Sequence, residues 1–308
     1  PAIQWQRLTL SLLAHKNKLF IRDGLEYGPF EIQIDGRKGI DAFKKENDFI
    51  ISLDGQDFVQ WADISSQTVL KGFDHWIEND GKDIRFVKNA DTLGKIKNVI
   101  KNLSIRLKKE ISTEINLSWH STVFDNNAIH SLDQKIIIAR PTLKLVQDSY
   151  IYNNDFMPVL GPLVLSEDDN VSSLNVGDKV FYELPINLEF DNNRISDVVI
   201  EPGVLRINPI DFDNKSKIKF QLKNRLNPGD KITITNLPIN QINSSLMKFR
   251  GKGHYSILSD ILKPTHDTRM EDSKEIHVAN IQLSMQGSKE FIQDVNKSNE
   301  TFILPTIH

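Results

Sequence analysis

The chain repeats itself at a spacing of about 133 residues, and this repeat constrains its fold more than any other feature. Residues 9–32 lie against 142–165 without a gap. Thr9, Leu10 and Leu12 match Thr142, Leu143 and Leu145, Gly28-Pro29 matches Gly161-Pro162, and Phe30 and Ile32 fall on Leu163 and Leu165. Residues 84–105 lie against 218–239. There Ile84, Phe86, Lys97, Ile100, Asn102, Leu103 and Ile105 meet Ile218, Phe220, Lys231, Ile234, Asn236, Leu237 and Ile239. Ordinary composition would give roughly one such identity by chance. Two copies of one domain account for the pattern. Each copy has the size of an ordinary domain, unlike the short unit of a solenoid. Such a duplication is more typical of a modular surface or structural protein than of a lone enzyme.

Within each copy the local signal is alternation, the period of a half-buried strand. It runs through Leu8–Leu12, Phe30–Ile34, Phe49–Leu53, Ile84–Phe86, Lys97–Ile105, Ile115–Trp119 and Lys135–Ile138 in the first copy. In the second it runs through Leu143–Val146, Leu163–Leu165, Lys179–Leu184, Ile186–Phe190, Val198–Ile200, Val204–Ile207, Ile218–Leu222 and Ile232–Ile239. Asn227-Pro228-Gly229-Asp230, Asp191-Asn192-Asn193 and Asp211–Asn214 are turn signals. Short strands with frequent turns predict β-sandwiches. Helices are expected only as insertions, at Ser66–Glu78 and Tyr255–Leu262.

The copies end alike, at Asp133–Ile138 and Asp272–Val278, and a fresh opening strand follows each. The reading is therefore all-β. Its domains are 1–139, with a helical insertion near 66–78, and 140–279, with an insertion near 240–270. Residues 280–308 are read as the first strands of a third unit or an assembly strand. The chain opens on Pro1, read as the start of a processed chain or a fragment.

The order of these signals resembles the immunoglobulin-like repeats strung in tandem in large bacterial surface and secreted proteins. It comprises an opening strand, a Gly-Pro turn into Phe30–Ile34 or Leu163–Leu165, and an Asp-led strand at Asn47-Asp48-Phe49 or Gly177-Asp178-Lys179. An aromatic follows, Trp61 or Phe190. Then come the Asn-Pro-Gly-Asp turn, replaced in the first copy by Thr92-Leu93-Gly94-Lys95, the Ile-Thr-Ile-Thr-Asn-Leu strand and a closing Asp-x-Lys strand. The resemblance implies an extracellular or cell-surface scaffold such as a filament, stalk, sheath or surface layer. It brings no catalytic residues.

Composition narrows the chemistry. A net charge of −3 and the lack of a polybasic run argue against nucleic acid as a partner. Absence of cysteine excludes disulfides, thiolate metal sites and a cysteine nucleophile. No apolar run reaches the length of a membrane-spanning helix. No phosphate loop, nucleophile elbow or zinc-protease motif is present, so no catalytic residue is assigned.

Acidic clusters are the calcium candidates: Asp168 and Asp169, with Asp133, Glu271 and Asp272 near the two junctions. Calcium takes six to eight oxygens, and Asp and Asn also fill turns for backbone reasons. His120 and His130 sit on an expected hairpin and are read as surface histidines. Trp61 and Phe190 are read as equivalent core positions, as are Trp119 and Phe249. Trp76 is the candidate contact residue. In a helix it would pin the insertion to the sandwich with Phe73 and Ile77, whereas an exposed Trp76 would stack on a sugar or a neighbour. Lys248, Arg250, Lys252 and His254 read as a basic loop. The Asn-x-Ser/Thr triplets at Asn102, Asn116, Asn170, Asn214, Asn243, Asn296 and Asn299 are mostly accidents of an Asn-rich chain. Self-association or contact with neighbouring domains is the expected partnership. The competing readings are a glycan-binding adhesin, an accessory segment of an exported hydrolase and a viral structural protein.

Overall fold

The computed structural model describes residues 9–12, 18–20, 26–35, 44–54, 57–63, 70–89, 99–121, 128–152, 157–208, 215–240, 248–258 and 269–279. The expected third unit at 280–308 lies outside them, as do the turn candidates at 92–95 and 211–214.

The described residues form two immunoglobulin-like sandwiches. The first contains β1 (Thr9–Leu12), β2 (Lys18–Phe20), β3 (Glu26–Asp35), β4 (Asp48–Asp54), β5 (Val59–Trp61), β6 (Phe73–Glu78), β7 (Asp83–Lys88), β8 (Val99–Leu107), β9 (Thr113–His120), β10 (His130–Ser131) and β11 (Ile136–Ala139). Its sheets run β1-β3-β8-β5 and β2-β11-β9-β4-β7-β6. The second contains β12 (Thr142–Leu145), β13 (Ser149–Tyr152), β14 (Val159–Leu160), β15 (Leu163–Ser166), β16 (Lys179–Glu183), β17 (Val199–Glu201), β18 (Leu205–Asn208), β19 (Lys217–Leu222), β20 (Lys231–Thr235), β21 (Leu237–Pro238), β22 (Lys248–Leu258) and β23 (Met270–Ala279). Its sheets run β12-β15-β20-β17 and β13-β23-β22-β16-β19-β18. The two strand orders match rank for rank. In each sandwich the alternating apolar side chains meet between the sheets, around Phe30, Ile51 and Phe86 in one and Leu165, Tyr182 and Phe220 in the other. Burying one such side chain stabilises the fold by about 1.5–3 kcal/mol, which is what selects the strand register.

The ladders give the repeat residue by residue. Ile84 and Ile218 pair with Ile51 and Tyr182, which pair in turn with Trp119 and Tyr255. Trp119 therefore corresponds to Tyr255, not to Phe249. Trp61 pairs with Ile105 and Phe190 bridges Ile239, so these two aromatics are equivalent, and both are buried. The gapless opening match slips by two residues: Leu12 pairs with Ile32, but Leu145 pairs with Leu163. Gly28-Pro29 lies inside β3, whereas Gly161-Pro162 joins β14 to β15. A two-residue slip keeps every apolar side chain on its own face, so the sequence pattern tolerates it.

Three expected elements differ. Residues 73–78 are a strand, not the end of a helix: Phe73, His75 and Ile77 face inward on β6 while Asp74, Trp76 and Glu78 face outward. The signal is Asn79-Asp80-Gly81, whose positive φ values turn β6 back onto β7. Residues 248–258, expected as a basic loop running into a helix, form the long strand β22 between β16 and β23. Its glycines make this possible, because a Cβ on Gly253 would lie 2.3 Å from the Tyr182 hydroxyl oxygen. Finally, Ile186–Phe190 is not a ladder strand. Asn187 turns at φ 76° and only Phe190 bridges a neighbour.

Candidate functional site

The feature that joins two otherwise self-contained sandwiches is the junction. Strand β11 ends at Ala139 and β12 begins at Thr142, so only Arg140 and Pro141 intervene. Asp168, just past β15, reaches back across this link. Its Oδ2 accepts the Arg140 backbone N–H at 2.7 Å and the hydroxyl of Ser112, the residue just before β9. Its Oδ1 accepts the backbone N–H groups of Asn170 at 2.8 Å and Val171 at 3.3 Å, closing an Asx turn. One buried carboxylate thus takes donors from both sandwiches and from the link between them.

Glu167 builds the platform under it. Its buried carboxylate accepts from the backbone of Asp168, Ser173 and Leu174 at 2.6–2.8 Å and from the Ser173 hydroxyl at 2.7 Å. A buried carboxylate is tolerated only when donors surround it this way. The Asn227–Asp230 turn packs against the same loop: Gly229 N–H donates to the Asp168 carbonyl and Glu167 N–H to the Asp230 carbonyl, each at 2.9 Å. Arg140 also pairs with Glu110 across the junction, but both side chains are about half exposed. Such a pair contributes about 0–1 kcal/mol, so Asp168 is the stronger tie.

Above these groups lies a cleft of about 470 Å³ whose walls include Glu110, Ser112, Arg140, Asp168, Asp169 and Lys231. Of the five calcium candidates, Asp168 and Asp169 line it. Asp133 is exposed in the turn before β11, and Glu271 is exposed and paired with Lys252 at 2.9 Å. Asp272 is buried inside the second sandwich. Its Oδ2 accepts the Leu145 backbone N–H and the Tyr182 hydroxyl, both at 2.9 Å, and its Oδ1 accepts the Lys274 N–H at 3.0 Å. It ties β12 of one sheet to β23 of the other. Among the described residues, no three His, Asp or Glu side chains are grouped so as to hold a metal ion.

Burial, with the Asp272 charge second, pushes the Tyr182 phenol far above its ordinary value. The same two causes push Tyr255 up to about 12. His120 and His130 do not converge. His130 pairs with Trp119 and stacks on it at 4.9 Å on the inner side, while His120 points outward.

Trp76 is exposed at 44% on the outer face of edge strand β6. Its indole N–H donates to Glu78 Oε2 at 3.3 Å, and Glu78 takes Arg85 Nε at 3.1 Å. Arg85 also pairs with Asp48. Hydrogen bonding from Arg85 holds the Glu78 carboxyl below the usual carboxylate range. Sequence reasoning selected Trp76 but missed Glu78, Arg85 and Asp48, because the helical assignment hid the ladder that aligns them. Asn102, Asn116 and Asn170 are exposed; Asn214, Asn243, Asn296 and Asn299 lie outside the described residues. No helix among the described residues is long and apolar enough to cross a membrane.

No protein-family model matches the sequence, and no curated protein matches it. Solved structures with a similar course of the chain include one named BspA_C_WT, 8% identical with a TM-score of 0.35 over 88% of this chain and 99% of that one. Another is the 35 kDa C-terminal fragment of the major pilin GBS80 of Streptococcus agalactiae, 8% identical with a TM-score of 0.30 over 86% and 90%. A third is the collagen adhesin CNA from S. aureus, 11% identical with a TM-score of 0.26 over 90% and 92%. Likeness at this level concerns the fold alone.

Proposed function

We propose that the chain is a non-enzymatic structural segment of an extracellular or cell-surface assembly, with units at 1–139 and 140–279. The observation that carries this reading is the junction. A two-residue link clamped by Asp168 removes most of the hinge freedom that an ordinary inter-domain linker leaves. Such a clamp suits a module that transmits force or sets spacing. The buried carboxylates at the cleft are occupied by backbone N–H and serine hydroxyl donors, which is a structural use of their charge.

In the sequence, residues 280–308 follow the second closing strand as Arg140 and Pro141 follow the first, and in this reading they extend the array or contact a neighbouring copy. Electron microscopy of the native material, with antibody against the second sandwich, tests the proposal. Label on the outside of cells along a fibre, stalk or lattice supports it. Label confined to the cell interior, or to dispersed single molecules, refutes it.

A further inference from the structure

The outer face of the second sheet of the first sandwich carries chemistry that the scaffold does not need. Cross-strand pairing places Trp76, Arg85, Ile50 and His120 in one row over β6, β7, β4 and β9. Asp48 and Glu78 flank that row. Glu78 takes both the Trp76 indole N–H and the Arg85 guanidinium, and Arg85 reaches on to Asp48. The ring is therefore held in one orientation by a chain of polar contacts, yet nearly half of its surface faces solvent. Ordering these side chains in advance lowers the entropy cost of binding.

The second sandwich provides an internal control. Its ladders put Asn208, Lys219, Phe181 and Ser256 where the first has Trp76, Arg85, Ile50 and His120, and Lys179 where the first has Asp48. The same strand order forms without the tryptophan network, so the fold does not require it. Edge strands are ordinarily guarded with charge, and β6 carries Asp74 and Glu78 for that purpose while also displaying a half-exposed indole.

We infer that this face binds a neutral carbohydrate, with a pyranose ring stacked on Trp76 and its hydroxyls bonded to Arg85 and Glu78. An exposed aromatic plate with fixed polar groups at its edge offers an apolar face and hydrogen-bonding partners together, which is what an amphipathic sugar ring requires. The carboxylates of Asp48, Asp74, Glu78 and Asp83 outnumber Arg85 on this face, which disfavours an anionic sugar. Arg85 donates from Nε, Nη1 and Nη2 to the two flanking carboxylates, and a guanidinium carries five N–H donors, so it keeps donors for sugar hydroxyl oxygens while presenting little net charge to a basic partner.

The inference is independent of the scaffold reading, which survives its failure. The test screens the full chain on an array of neutral and anionic oligosaccharides, then titrates the best neutral binder by calorimetry and NMR. Binding of a neutral sugar is expected, with the Trp76 indole signal shifting and those of buried Trp61 and Trp119 unchanged. Trp76→Ala should weaken binding at least tenfold and Trp76→Phe by less. No neutral binder at millimolar concentration, binding unaffected by Trp76→Ala, or a preference for anionic glycans or basic peptides would overturn it. The indole shifts on the native chain decide the matter even where a variant folds poorly.

Discussion

Asn102 and Asn236 occupy the same left-handed backbone position, with φ 58° in both sandwiches. Before each, the strand pairs normally, Ile100 with Ile32 and Ile234 with Leu163. After each, Leu103 and Leu237 re-engage Phe30 and Leu160. The asparagine is thus a bulge that lets one strand step along its partner, and its side chain is exposed. Asn is among the few non-glycine residues that adopt this conformation readily, so the repeat carries an Asn at both places. Replacing Asn236 or Asn102 with Ala should cost about 1–2 kcal/mol by chemical denaturation, and replacement with Gly should be near neutral.

The turn that opens the equivalent strands β4 and β16 appears in both sandwiches with different residues. Asn175-Val176-Gly177-Asp178 closes with Asp178 Oδ2 accepting the Asn175 N–H at 2.8 Å, and Gly177 sits at φ 90°. Lys44-Lys45-Glu46-Asn47 closes the same way through Asn47 Oδ1 at 2.6 Å, but Glu46 occupies the left-handed position at φ 71°. Glu46→Gly should therefore raise the stability of the first sandwich by about 1 kcal/mol, read as a higher denaturation midpoint at unchanged slope.

Asp272 ties the two sheets of the second sandwich together through Leu145 and Tyr182. Asp272→Ala leaves a buried hydroxyl and a buried N–H unsatisfied, which should cost on the order of 3 kcal/mol. Gly253→Ala should destabilise the same sandwich by about 1–3 kcal/mol, because its methyl would collide with the Tyr182 hydroxyl. A first sandwich unaffected by either change, followed through Trp61 and Trp119 fluorescence, is the expected control.

Alkaline pH should act on the second sandwich through Tyr182 and Tyr255. The Tyr182 and Tyr255 phenols are raised above their ordinary value of 10 by burial, so the folded state keeps protons that the unfolded state releases. Stability from both groups is complete below pH 10 and falls as pH climbs from 10 toward 12. Melting curves across that range should show the decline, and Tyr182→Phe should shallow it. A flat response in the unaltered chain would contradict the burial of these phenols.

The architecture was largely legible because alternation and repeated identities both follow from burial, which acts locally along a strand. Ile84–Phe86 and Ile218–Leu222 are strands where the pattern placed them. Elements with mixed faces were not legible. Strand β6 reads Phe-Asp-His-Trp-Ile-Glu, whose aromatic on the outer face mimics helical spacing, and β22 carries glycines whose purpose is visible only once Tyr182 lies opposite. The roles of Asp168 and Asp272 rest on donors from residues 28 to 127 positions away. Composition marks such residues as acidic, but only the fold shows what they hold.

The Asp168 clamp fixes how the two sandwiches meet, and a distance measured across the junction is its sharpest test. The chain lacks cysteine, so Lys71→Cys and Asn224→Cys, at exposed positions on the two sandwiches, give unique sites for paired spin labels. A clamped junction gives one narrow distance distribution in the otherwise unaltered chain, broadened when Asp168→Ala and Ser112→Ala are added while both sandwiches remain folded. A broad distribution with Asp168 in place, or a narrow one that ignores its removal, would contradict a clamped junction.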